Sequence, residues 1–361
     1  MRRRDFVKKV GMGAVAAGAL MPVGSKAASE KTYSWKMTTT WPPKSPILMD
    51  SCERLVKKIE TMSQGRLKIQ LFAGGELIPP LEAFDAVQKG NPIQIGSSTP
   101  YYWAGKVPEA QFFSAVPFGF NFQQQMTWLY MGGGMELWEE VYAPFNIVPL
   151  PMFSTGHQMG GWFRKEIKSL EDLKGLKMRI PGLGGKIMAK AGVNVTLTPA
   201  AEVFQNLERG VVDAAEWIGP FHDMKLGLYQ AAKYYYYPGW HEAGTLGELI
   251  INKQAWESLT PDLREIVRCA AAEVTFWGLT AFEAQNGAAL EEMVSKHGVQ
   301  LRKFPEDVLE ALRKYSKEVY EEESAKNPKF KKVYESFLAF QKRITPWAKI
   351  SEKSFYDDMM R

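Results

Sequence analysis

Between Tyr33 and Phe72 the apolar residues change period twice. Tyr33, Trp35 and Met37 alternate with Ser34 and Lys36, which is the two-residue period of a half-buried strand. After the loop Thr38-Thr39-Thr40-Trp41-Pro42-Pro43, Leu48, Cys52, Leu55, Val56 and Ile59 fall at helical spacing as far as Gly65. Alternation returns over residues 66–72. A strand, a helix and a second strand in that order predict an α/β chain, with helices laid on a sheet. The same alternation continues, with a helix over 81–87, a strand over 93–97 and an aromatic loop over 98–103 beyond that strand's carboxyl end. Strands follow at 147–153, 162–163 and 178–180, then a helix at 199–207 and a buried strand at 211–217. Residues 262–296 and 305–343 read as long helices, the second interrupted at Asn327-Pro328 because proline removes a backbone donor and restricts the residue before it. With 361 residues and no internal repeat, a two-domain α/β body carrying a helical tail is expected.

The formal charge of +5 invites a search for an acidic partner, but it is confined to the start of the chain. Arg2, Arg3, Arg4, Lys8, Lys9 and Lys26 stand there against Asp5 alone, and everything after residue 27 is balanced. A nucleic-acid partner is therefore not expected, since binding one needs a surplus of cations to displace counterions from phosphates. Residues 1–27 have the layout of an export signal: a basic start, an apolar stretch over 10–23, and Ser25-Lys26-Ala27 as a small-x-small cleavage site. That stretch has about 14 residues where a bilayer span needs ~20, so removal is favoured over a retained anchor. Arg3-Arg4-Asp5-Phe6-Val7-Lys8 resembles the twin-arginine export motif, which implies a protein exported already folded to the bacterial periplasm. Cys52 and Cys269 are far apart in sequence and form no CxxC pair. Two buried thiols in helices are expected, with a bridge left open if the fold brings them together.

Catalytic signatures fail one by one. Gly182-Leu183-Gly184-Gly185-Lys186 follows a strand and opens a helix, but Ile187 stands where the dinucleotide fingerprint needs a small residue, and the spacing is wrong for a phosphate loop. His157, His222, His241 and His297 lie in no HExxH frame, and Ser154 lacks the flanking glycines of a nucleophile elbow. What remains is a set of polar residues at strand ends. Arg179 closes an apolar strand just before Pro181-Gly182, where a guanidinium can clamp a carboxylate through two parallel hydrogen bonds, or form an ordinary salt bridge. Glu216 and Trp217 follow the apolar run 211–215, which puts a carboxylate at a buried strand end in need of a partner. Glu242 is a second acid among aromatics, and Gln158 offers an amide oxygen. The Tyr234–Tyr237 run is expected to alternate, two rings inward and two outward, with no ligand role.

The twin-arginine leader, His157-Gln158-Met159-Gly160, Lys177-Met178-Arg179-Ile180-Pro181-Gly182, Gly210-Val211-Val212-Asp213-Ala214 and Glu216-Trp217-Ile218-Gly219-Pro220 together resemble the extracytoplasmic solute receptors of tripartite ATP-independent periplasmic (TRAP) transporters, most closely the branch that takes 2-oxo acids or lactate with a cation. The resemblance covers essentially all of the chain beyond the leader. It implies a non-enzymatic, two-lobed receptor that closes on its ligand. Lobe I would hold residues 32–155 and 243–284, lobe II 156–242 and 285–304, with a long helix across both and residues 305–361 as a helical extension that serves a homodimer in some relatives. It also implies that Arg179 binds the substrate carboxylate, and that Gln158, Glu216, the Trp217 carbonyl and Glu242 hold an ion that the substrate also ligates. All of those donors are oxygens, which suits Na⁺ or Ca²⁺ and argues against zinc. Glu216 and Glu242 carry two negative charges, so a divalent ion would neutralise the cage, unless either acid pairs with Arg179 or Lys186 instead. Gln158 and Glu216 would touch the substrate as well, with Tyr101 and Tyr102 adding hydroxyls from the opposite lobe and Trp41 a weaker candidate. The expected partners are a small 2-oxo or 2-hydroxy monocarboxylate and the TRAP membrane subunits. The rival expectations are a receptor for another carboxylate or a polyol, a twin-arginine-exported enzyme, and a scaffold without a ligand.

Overall fold

The structure is a computed structural model describing residues 31–360, so the export signal expected at 1–27 lies outside the described residues. In chain order its strands are β1 (Tyr33–Thr39), β2 (Leu67–Phe72), β3 (Ile95–Ser98), β4 (Ile147–Gly156), β5 (Gly161–Phe163), β6 (Lys177–Arg179), β7 (Asn194–Thr196), β8 (Ala214–Ala215), β9 (Tyr234–Tyr237), β10 (Thr245–Asn252) and β11 (Gln300–Lys303). They form two sheets, ordered β2-β1-β3-β10-β4 and β11-β9-β5-β8-β6-β7. The opening strand, helix and strand pair as the sequence predicts: β1 runs parallel to β2, with Trp35 opposite Ile69, around the helix Leu48–Met62. β10 then enters antiparallel between β3 and β4. The chain leaves the first sheet after β4 and returns to it at β10, so residues 157–160 and 238–244 are the two short connections between sheets.

A 37-residue helix, Pro261–His297, packs on β4, on the helix Leu48–Met62 and on the helix Pro220–Leu226, which extends the turn after β8. At 1.5 Å per residue it is about 55 Å long, enough to run past both sheets. Gly278 lets it lie close, because a Cβ there would sit 3.1 Å from Phe153 Cβ on β4. The tail forms two helices, Glu306–Lys326 and Pro328–Ile350, broken at Asn327-Pro328 as expected; the Asn327 side chain accepts from the Lys329 and Phe330 amides and so starts the second. Their apolar faces are covered. Phe337 lies 4.0 Å centroid to centroid from Phe120, and Phe330 5.0 Å from Phe112. Exposed apolar side chains in the tail begin only at Trp347 and continue through Ile350, Phe355, Tyr356, Met359 and Met360.

Several local expectations are corrected. The strand expected over 211–217 contracts to Ala214–Ala215, because Gly210 takes a positive φ of 72° and the Val212 amide still bonds the Asn206 carbonyl, leaving Val211 exposed. Tyr235 and Tyr236 are both buried although adjacent, since β9 is an inner strand covered on both faces: Tyr235 stacks on Trp162 at 3.9 Å and Tyr236 packs on Phe304 at 4.8 Å. Cys52 is buried in its helix, with its thiol pushed up to about 12 by burial, but Cys269 is exposed on the long helix and both are free.

The aromatic segment expected as a loop is a short 3-10 helix, Pro100–Trp103, fastened from beneath by Glu248 of β10. This buried carboxylate accepts from Trp103 Nε1 and, at 2.8 Å, from the Tyr142 hydroxyl. Burial outweighs both donors and raises its pKa from the ordinary 4.5 to about 8. Between those values the folded chain keeps a proton that the unfolded chain has lost, so this group's contribution declines as pH rises, by up to about 1.4 kcal/mol per unit. Glu248→Gln is expected to lose less stability than wild type between pH 5 and pH 8 in urea titrations. Parallel losses would contradict the assignment.

Candidate functional site

Arg179 ends β6, and β8 runs parallel beside it with Ala215 opposite Arg179. The next residue, Glu216, donates its amide to the Arg179 carbonyl at 2.9 Å, so a guanidinium and a carboxylate leave the carboxyl ends of neighbouring parallel strands together. Open α/β sheets place ligands beyond those ends. Both side chains are buried, Arg179 at 1% and Glu216 at 0% exposure. Arg179 Nη1 donates to the Glu216 carbonyl at 2.7 Å and faces Glu216 Oε2 at 3.3 Å, while the guanidinium lies 5.2 Å from the Trp217 ring centre. Its other two donor atoms, Nε and Nη2, form one edge of the fork and are buried without a hydrogen bond of good geometry, the Tyr102 hydroxyl being the side chain beside the guanidinium. That edge is the one a carboxylate binds side-on.

The two inter-sheet connections bring in the remaining polar groups. Gln158, in the first, donates its backbone amide to the Glu242 carbonyl of the second at 3.1 Å. Its side-chain amide donates to Thr155 Oγ1 and Thr245 Oγ1 at 3.1 and 3.0 Å, and Thr245 in turn donates to Glu242 Oε2 at 2.6 Å. With the amide nitrogen so anchored, Gln158 Oε1 is left buried and unpartnered, as is Glu216 Oε1. Glu216, His241 and Glu242 each offer a ligand atom within 4.8 Å of one another. Burial raises the Glu216 carboxyl well above its usual range against the pull of Arg179, and raises Glu242 to about 7, the charge of Glu216 adding to the effect. Two buried acids this close, with an orphaned oxygen on Glu216 and another on Gln158, can accept a positive charge beyond that of Arg179. Lys186 does not supply it, being paired with Glu323 at 2.7 Å.

The opposite wall comes from the first sheet. A Cβ on Gly182, which has φ +58°, would sit 2.7 Å from Gln111 Oε1 and 3.2 Å from Tyr101 Cβ, so the Pro100–Trp103 segment closes directly on the turn after β6. Burial raises the Tyr101 and Tyr102 hydroxyls, with Glu242 the next cause for Tyr101 and the Arg179 charge opposing the rise for Tyr102. Trp41 packs on Tyr102 and Phe153, behind this wall. The structure thus gathers Arg179, Gln158, Glu216, Trp217, Glu242, Tyr101 and Tyr102. It adds His241, which sequence reasoning passed over for want of a ligand frame: His241 Nε2 lies 3.5 Å from Glu216 Oε1, and burial lowers its pKa. Its place beside Glu242 was the available signal. Thr245 was missed too, because its role is to orient the Gln158 amide and Glu242 across the two connections.

The model of bacterial extracellular solute-binding protein family 7 matches residues 37–327. The chain belongs to this family. Solute-binding proteins of this kind are receptors of bacterial transport. One relative, a monocarboxylate 2-oxoacid-binding periplasmic protein of Nostoc sp., is 43% identical over 360 residues, covering 98% of each chain. The structure also superposes on a TRAP periplasmic solute-binding protein of Pseudoalteromonas atlantica with bound sodium and pyruvate, at TM-score 0.88 and 38% identity over 91% of this chain and 99% of the other. A TRAP solute-binding protein of Bordetella bronchiseptica, a mixed-occupancy dimer with copurified calcium and picolinate at its active site, gives TM-score 0.89 and 36% identity over 91% and 98%. The two-sheet α/β architecture, the long helix and the helical tail are those of these two-lobed receptors. Among the described residues no helix is long and apolar enough to cross a membrane.

Proposed function

We propose that this solute-binding protein is a periplasmic TRAP receptor that captures a small 2-oxo or 2-hydroxy monocarboxylate of the pyruvate or lactate type together with Na⁺ or Ca²⁺, and passes it to membrane subunits. The observation that carries the reading is that the Nε–Nη2 edge of Arg179, Gln158 Oε1 and Glu216 Oε1 are all buried without a hydrogen-bond partner. Arg179 binds the substrate carboxylate through Nε and Nη2. Gln158 Oε1, Glu216, Glu242 and the Trp217 carbonyl hold the cation, an all-oxygen set that fits a hard ion. When bound, the ion would supply the positive charge the two acids need and attract the substrate's carboxylate and 2-oxygen. Tyr101 and Tyr102 complete the site from the opposite lobe, and Gln158 and Glu216 border the substrate. The pyruvate and 2-oxoacid ligands of the relatives support the substrate class.

In this reading the lobes are residues 32–155 with 243–284 and 156–242 with 285–304, and the chain acts as a receptor without catalysis. The twin-arginine leader delivers it folded to the periplasm. The exposed tail from Trp347 to Met360 is the surface for a homodimer, supported by the dimeric Bordetella relative; a monomer throughout a sedimentation series would remove it. The ligand class is tested by thermal unfolding with 2-oxo acids, 2-hydroxy acids, dicarboxylates, amino acids and polyols. At a hundredfold excess over Kd a true ligand adds about 2.7 kcal/mol of stability. Stabilisation confined to 2-oxo and 2-hydroxy acids is expected. A flat panel, or turnover of pyruvate, would contradict the reading.

A further inference from the structure

Asp223 is a buried carboxylate, 1% exposed, that no part of the account above uses. It sits on the helix Pro220–Leu226, behind the turn that follows Glu216. Its Oδ2 accepts from Trp162 Nε1 at 2.9 Å and from the Tyr235 hydroxyl at 2.8 Å, on the inner strands β5 and β9. Its Oδ1 accepts from the Ile218 backbone N–H at 3.0 Å. That N–H belongs to the same peptide unit as the Trp217 carbonyl. A trans peptide is planar, and its N–H and C=O point in opposite directions, so fixing one fixes the aim of the other. The next carbonyl is held as well, since Ile218 C=O accepts from the Met159 amide at 2.9 Å. On the ring side, Trp217 Nε1 donates to His222 Nδ1 at 2.8 Å, so the neighbouring residues His222 and Asp223 grip the side chain and the backbone of Trp217 respectively.

We infer that Asp223 is a positioning residue for the cation: its carboxylate locks the Trp217–Ile218 peptide so that the Trp217 carbonyl faces the ion, and polarises that amide so that the carbonyl is a stronger oxygen ligand. The inference rests on the ion-ligand set proposed above. Its two parts are physical consequences of one bond. A hydrogen bond to an ionised acceptor is stronger than a neutral one, and in a buried chain of bonds electron density drawn toward the N–H end strengthens the acceptor at the C=O end. Groups that orient a ligand without touching the metal typically change its affinity 10- to 100-fold when altered. Asp223 is well supported for that task, because two ring donors on separate strands hold Oδ2, and its carboxylate also meets the Gly219 backbone amide next to that of Ile218.

The Trp-Ile dipeptide occurs once in the chain, at 217–218, so protein carrying carbonyl-¹³C tryptophan and ¹⁵N isoleucine gives a single carbonyl–amide correlation that reports this peptide alone. Titrating Ca²⁺ at saturating pyruvate is expected to move the Trp217 carbonyl resonance in wild type. In Asp223→Asn the same movement should need about tenfold more Ca²⁺, and the Ile218 amide proton should already be displaced before Ca²⁺ is added. Tyr235→Phe removes a donor to Oδ2 but keeps the bond to Ile218, so it should lower the melting temperature while leaving the Ca²⁺ midpoint within about threefold. Should Asp223→Asn fail to fold, Asp223→Glu, which keeps the charge but shifts the oxygens by a methylene, carries the same comparison. Equal weakening in Asp223→Asn and Tyr235→Phe would show a merely structural role and overturn the inference. An Asp223→Asn midpoint equal to wild type would overturn it while leaving the ion site standing. A wild-type carbonyl that ignores bound Ca²⁺ would instead remove Trp217 from the ligand set, and this inference with it.

Discussion

Arg179→Ala is expected to weaken pyruvate binding by about 100-fold. In the proposed binding mode the substitution would remove two charge-assisted hydrogen bonds from the Nε and Nη2 edge and strand the substrate carboxylate in a site already holding two acids. Truncating one partner of a buried charge pair typically costs 2–5 kcal/mol, and about 2.8 kcal/mol corresponds to a hundredfold. The fold should survive with reduced stability, because Glu216 loses its Arg179 contacts but can take up a proton in a pocket that already raises its pKa. Calorimetric titration of pyruvate, with circular dichroism to check folding, measures both. Arg179→Lys should recover only part of the loss, since an ammonium cannot present two parallel donors. Unchanged affinity in Arg179→Ala would remove Arg179 from the site.

Glu216→Gln should weaken Ca²⁺ binding by at least about 100-fold while changing the architecture little. Arg179 is held chiefly through the Glu216 backbone carbonyl at 2.7 Å, which the substitution preserves, so the guanidinium stays in place. In the proposed ion site, what would be lost is one of two anionic ligands, together with its share of the charge balance. Pyruvate affinity measured in Ca²⁺ should then fall toward the value measured in chelator. Glu242→Gln gives a second view of the same cage, but Thr245 and Gln158 are hydrogen-bonded to that side chain's network, so its effect mixes ion loss with reorientation of the amide. Equal Ca²⁺ affinity in wild type and Glu216→Gln would mean that the ion, if bound, is held elsewhere.

Much of this was legible in the sequence because it is local. Period changes from two to 3.6 and back mark strands and helices, and Asn327-Pro328 breaks the tail where the missing donor requires it. The placement of Arg179 and Glu216 at strand ends follows from where their apolar runs stop. What was not legible depends on strand order. Two adjacent tyrosines are both buried because β9 lies inside its sheet, which no local period encodes. Val211 to Asp213 look like strand but are spent finishing a helix and a turn. Thr245 and Asp223 carry no spacing signal, and His241 carries only its place beside Glu242. They matter because two short connections and one turn converge, and a one-dimensional pattern does not show which segments meet.

Organic acid and cation should bind as a unit, which is measured by calorimetric titration of pyruvate into protein freed of metal, with chelator, Na⁺ or Ca²⁺ present in turn. Strong binding is expected only with a cation, with loss of that binding on adding chelator and reciprocally tighter Ca²⁺ binding when pyruvate is present. Equal pyruvate affinity under all three conditions would contradict it and leave Arg179 alone to hold the ligand.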